Sequence, residues 1–101
     1  MRLTYHTALV LRALLDGRHY GFDIMDATHL PSGTVYPILR RLNAEGSVRS
    51  RWEKDGLARR DQRPPRRYYE LTAGGTAVAH DSAARVREMA HAASRLSPAK
   101  A

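Results

Sequence analysis

At 101 residues, with 43% hydrophobic residues and no cysteine, the chain has material for one small core and none for a disulfide, a thiolate metal site or a cysteine nucleophile. Seventeen Lys and Arg against ten Asp and Glu give a formal charge of +7 and a pI near 10.6, which favours a polyanionic partner, nucleic acid or an anionic membrane face. The apolar run Ala8–Leu11 is too short for a signal-peptide core or a membrane span, so the expected location is the cytoplasm.

Leu3, Thr7, Val10, Leu11 and Leu14 recur at helical spacing and predict a first helix from about Thr4 to Leu15, stopped at Asp16-Gly17. Tyr20-Gly21 reads as a turn. Phe22, Ile24 and Met25 mark a short second helix to about Thr28, ended at Leu30-Pro31 because a residue before proline is pushed out of the helical region. Ser32 is the expected N-cap of a third helix, with Val35, Ile38, Leu39 and Leu42 on its inner face. Pro37 falls in the second turn and leaves the Gly33 carbonyl without its helical donor, a place water can fill.

After Gly46 the period changes to two. Val48, Ser50 and Trp52 alternate with Arg49, Arg51 and Glu53, and Arg67, Tyr69 and Leu71 alternate with Arg66, Tyr68 and Glu70. Two strands joined by the polar stretch Lys54–Pro65 predict a hairpin with a charged, mobile tip. Trp52 is expected to close the core between hairpin and helices, or else to wall a ligand pocket, with Tyr68 and Tyr69 packed on the sheet. Thr72 can cap a last helix, although Gly74 and Gly75 weaken its first turn by about 1 kcal/mol each relative to alanine. Beyond them Val78, Ser82, Val86, Met89, Ala93 and Leu96 step by 4, 4, 3, 4 and 3, a seam of heptad type.

This order predicts a mostly helical α+β fold: a winged helix-turn-helix with a two-stranded wing over residues 1–72, a dimerisation helix over 73–97 and a tail over 98–101. The charge is concentrated where such a fold would read DNA, +2 over residues 32–53 and +3 over 54–71. A major groove admits one helix, and arginine reads guanine bidentately. Ser32, Thr34, Tyr36, Pro37, Arg40 and Arg41 are therefore the expected contacts of the third helix with double-stranded DNA. Lys54, Arg59, Arg60, Arg63, Arg66 and Arg67 are those of the wing, suited to phosphates or the minor groove. Ser82, Val86, Met89, Ala93 and Leu96 are expected to pair two copies of the chain, the alternative being that this helix folds back on the first, whose Leu3, Val10 and Leu14 also need cover. His6, His19, His29, His80 and His91 are scattered, no residues show metal-ligand spacing, and no nucleophile stands with a base. No cofactor, metal or catalysis is expected.

The runs SGTVYPILRRLNAEGSVRSRWE and PPRRYYELTAGG, with YGFDIM before them, resemble the PadR family of winged-helix transcriptional regulators from about Leu9 to Gly75. The resemblance implies a homodimer paired through C-terminal helices. It also implies an inverted-repeat operator and, usually, repression relieved by a small molecule or stress signal. It places Ser32, Thr34, Tyr36, Pro37 and Arg40 on the recognition helix and Lys54–Arg67 on the wing. Two other functions fit the residues alone: a winged-helix module binding protein or RNA in a larger assembly, and an architectural DNA-binding protein of a mobile element.

Overall fold

In the computed structural model, which describes residues 4–96, seven elements follow one another: α1 (Tyr5–Leu15), α2 (Gly21–Thr28), α3 (Ser32–Ala44), β1 (Val48–Trp52), α4 (Asp55–Arg60), β2 (Arg67–Leu71) and α5 (Ala73–Leu96). Thr4 caps α1, its extended backbone letting the side-chain oxygen accept the Thr7 N–H at 3.1 Å. Val10, Leu11 and Leu14 of α1 meet Ile24 of α2 and Val35, Leu39 and Leu42 of α3 in one core, which Val48, Tyr69 and Ala79 complete from the strands and α5.

The start of α3 differs from expectation. Pro31 holds the N-cap position, and its carbonyl accepts the N–H groups of Thr34 and Val35, both at 3.0 Å. Ser32 is the first helical residue and makes no capping bond. The ring of Pro31 presets an extended entry, φ −74 and ψ 162, so a side-chain cap is dispensable. The helix then runs unbroken through Pro37. Gly33, whose carbonyl loses its helical donor to Pro37, is exposed.

β1 and β2 pair antiparallel in the register Val48↔Leu71, Ser50↔Tyr69 and Trp52↔Arg67. On the other edge of β2, Tyr20 bridges Tyr68, and the Tyr69 N–H donates to the His19 carbonyl at 2.7 Å. The hairpin is thereby tied to the α1–α2 connection. Its tip carries a helix where the sequence predicted only a polar connection: Asp55–Arg60 forms α4, in keeping with the helix formers Leu57, Ala58, Arg59 and Arg60.

Thr72 caps α5, accepting the Gly75 N–H at 3.0 Å and donating to the Gly46 carbonyl at 2.7 Å. Gly75 is more than a weak helix residue, because a Cβ there would overlap the Ser47 backbone carbonyl. The first turns of α5 pack on α1, burying Ala79 and Ser82. Farther along, Met89 and Leu96 are 63% and 83% exposed. At about 1.5 Å per residue, the 24 residues of α5 account for much of the molecule's 60 Å long axis. Three helices, a two-stranded wing and a long C-terminal helix make a winged helix-turn-helix.

Candidate nucleic-acid interface

The outer face of α3 presents Ser32, Tyr36, Pro37 and Arg40 to solvent, with Thr34 half-buried. Between this face and the hairpin lies a cleft of about 310 Å³ lined by Tyr36, Leu39, Arg40, Asn43, Ser50, Arg67 and Tyr69. The alternation of the strands puts Ser50, Tyr69 and Arg67 on the side facing α3. Arg67 donates from Nη2 and Nε to the Ser50 hydroxyl at 2.9 and 3.3 Å, and its guanidinium lies 5.2 Å from the centre of the Trp52 ring. Two cations, an amide and hydroxyls thus share one groove, the donor set that grips phosphate and base edges. Burial raises the pKa of the Tyr69 phenol, against the opposing pull of Arg67 and Arg40.

Trp52 departs from its expected role. It is 62% exposed beside the cleft instead of sealing the core. At the last register pair of the ladder the hairpin has already left the helices, so the core closes on Val48 and Tyr69. Tyr36 lies against α2, where its ring occupies the space a Cβ on Gly21 would need.

Not all the expected cations stand together. Arg41 turns to α1 and donates from Nη2 to the Thr7 hydroxyl at 2.7 Å, a contact with a fully buried group. Arg63 forms a two-pronged pair with Glu53, at 2.5 and 2.6 Å, and also reaches Asp61 at 3.2 Å. Lys54, Arg59, Arg60 and Arg66 are exposed and make no ion pair among the described residues. Arg66 lies 5.8 Å from the Tyr20 ring centre, and Arg51 covers Tyr68, which stacks on His19, on the far side of the hairpin.

Glu53 and Asn43 were not singled out as site residues by sequence. A signal for Glu53 was present: a lone carboxylate at a strand end, followed by Arg59, Arg60, Arg63, Arg66 and Arg67. Along α5, Ser82 is enclosed against α1, Val86 is half-buried, and Met89, Ala93 and Leu96 are exposed. Val86 lines a shallow apolar groove with Ala8 and Leu9 of α1. Among the described residues no His, Asp and Glu cluster could hold a metal, and no helix is long and apolar enough to cross a membrane.

The family model for the transcriptional regulator PadR-like family matches residues 10–81. None of the curated proteins matches this chain. Among solved structures, a PadR family transcription regulator from Clostridium difficile R20291 superposes with a TM-score of 0.75 at 20% identity, over 91% of this chain and 97% of that one. A PadR family regulator from Eggerthella lenta DSM 2243 gives 0.69 at 27% identity, over 92% and 84%. BpsR of Bordetella bronchiseptica, whose DNA binding is regulated by 6-hydroxynicotinic acid, gives 0.72 at 22% identity, and this chain spans 64% of its length.

Proposed function

The chain belongs to the PadR-like family of DNA-binding transcriptional regulators, which are not enzymes, and from that premise we propose that it is a repressor reading an inverted-repeat operator as a homodimer. The observation that carries this is the cleft between α3 and the hairpin, where Arg40 of the helix and Arg67 of the wing converge. In this reading α3 enters the major groove with Ser32, Thr34, Tyr36, Pro37 and Arg40 toward the bases. Arg67 and Ser50 hold the backbone beside the groove, while Lys54, Arg59, Arg60 and Arg66 grip phosphates farther out. Arg41 and Arg63, engaged within the protein, act by holding α3 and the wing in place.

The dimer is supported by the outward residues of α5, Met89, Ala93 and Leu96, and by the groove at Val86. One winged helix touches one half-site, and a two-fold pair presents two recognition helices about one DNA turn apart. Such a pair bound across a promoter excludes polymerase, which is repression by occupancy. The test is a mobility shift on the DNA upstream of the protein's own gene with excess random competitor. A shift that survives competitor is expected. Loss under competitor would mean architectural binding without specificity, and no shift at low salt would mean a protein- or RNA-binding module.

A further inference from the structure

We propose that Glu53 is a positioning residue for DNA binding, a carboxylate that closes the neck of the wing so that α4 presents Arg59 and Arg60 in one fixed direction. The inference rests on the DNA-binding reading above.

Beyond the Trp52↔Arg67 pair, the Glu53 N–H donates to the Arg66 carbonyl at 2.7 Å, extending the ladder by one step. The Glu53 carboxylate then takes both terminal nitrogens of Arg63, at 2.5 and 2.6 Å, and the Arg66 N–H at 3.1 Å. One side chain thereby gathers three donors from the returning limb of the loop. The chain between Glu53 and Arg63, α4 included, becomes a closed loop with a planar two-pronged clasp. Glu53 is 8% exposed and is the only buried charged residue among those described.

The sign of its charge makes the role decidable. A buried carboxylate in a strongly basic wing opposes DNA electrostatically and neutralises Arg63, which could otherwise grip a phosphate. If charge alone governed wing binding, removing Glu53 would tighten it. If geometry governs, removal weakens binding even though the formal charge of +7 rises by one. Loss of the clasp frees the ends of a short helix that no other described ion pair holds to the body, and Arg59 and Arg60 must then be ordered at each encounter.

The experiment measures affinity for a random-sequence duplex at fixed low salt, by fluorescence anisotropy, and the rate of tryptic cleavage after Arg59 and Arg60 without DNA. Wild type, Glu53→Gln, Arg63→Gln and the double variant are compared, with thermal unfolding as the check on folding. Glu53→Gln is expected to bind about tenfold more weakly and to be cut faster at α4. Arg63→Gln behaves alike, and the double variant loses no more than the worse single one, because both changes open the same clasp. Tighter or equal binding by Glu53→Gln overturns the proposal, as does unchanged cleavage or a double variant showing the product of both losses. If Glu53→Gln does not fold, the double variant decides, since two neutral amides leave no buried charge unpaired: weaker binding with faster cleavage supports the clasp, and wild-type values in both overturn it. A wild-type protein that does not bind the duplex would sink the DNA-binding reading itself, while the cleavage rates still show whether the clasp orders the tip.

Discussion

Ser82 is 1% exposed between α5 and α1, and its hydroxyl has no partner among the described residues. A buried hydroxyl that has lost water and gained nothing is a net penalty. Ser82→Ala is therefore expected to raise unfolding stability by about 1 kcal/mol, read from urea denaturation. A loss of similar size would mean that the hydroxyl is satisfied in solution. At the other charged extreme, the bonds from Arg63 hold the Glu53 carboxyl down at about 2 from the ordinary 4.5, against the upward push of burial. With the folded value depressed, the contribution of Glu53 is complete above pH 4.5 and is lost as the pH falls from there through about 2. Carboxyl carbon NMR should show Glu53 titrating near the lower value in the wild type and moving back toward the ordinary one in Arg63→Gln. A wild-type midpoint near 4.5 would contradict the pairing.

At the scale of elements, α5 and α3 each turn on a local geometry that propensity alone misjudges. Gly74 and Gly75 both weaken a helix start, so replacing either by alanine would be expected to help by about 1 kcal/mol. Only Gly74 has the space, its added Cβ lying 3.9 Å from the Thr72 hydroxyl. Gly74→Ala should stabilise by up to that amount, whereas Gly75→Ala must push α5 away from the Ser47 carbonyl and should cost about 1–3 kcal/mol. Opposite signs in one set of denaturation curves are the expected result; two stabilising changes would mean that α5 sits farther out. For the elements proposed to bind DNA, Arg40→Ala should weaken specific DNA by about 1–3 kcal/mol and relax base preference. The pair Arg59→Ala with Arg60→Ala should weaken specific and random duplexes alike. Competition binding separates the two, and a wing pair that erased base preference would reverse the assigned roles.

For the whole molecule the deciding question is what covers α5. Its first turns belong to the subunit's own core through Ala79 and Ser82, but Met89 and Leu96 lie outside it. The heptad-type seam is thus divided: its early positions serve the fold, and in the proposed dimer the exposed Met89 and Leu96 would meet a second copy. Burying Val86 and Met89 across a dimer would contribute roughly 1.5–3 kcal/mol for each side chain. Val86→Asp with Met89→Asp would place unpaired charge there. The variant is expected to sediment as a folded monomer, to keep its helical circular dichroism and to lose operator binding. A variant that stays dimeric would place the interface elsewhere, and one that unfolds would return this part of α5 to the core of the single chain.

Much of the architecture was legible in the sequence, because it depends on periodicities that each segment carries alone. The 3.6-residue stripe of Val35, Ile38, Leu39 and Leu42, the two-residue alternation around Ser50 and Tyr69, and the cap at Thr72 need no distant partner to be recognised. Composition and the SGTVYP and PPRRYYELT runs likewise pointed to DNA and to a family. What tertiary structure decided is which side chains are available. Arg41 and Arg40 are neighbours of one type, yet one is drawn to Thr7 across thirty-four positions and the other faces the cleft. Arg63 is claimed by Glu53 and Arg59 is not; Ser82 is inside and Met89 outside; Gly75 touches a carbonyl and Gly74 does not. Each outcome depends on a contact between segments far apart in the chain, set by how helices and hairpin dock. Local pattern holds no information about that distance.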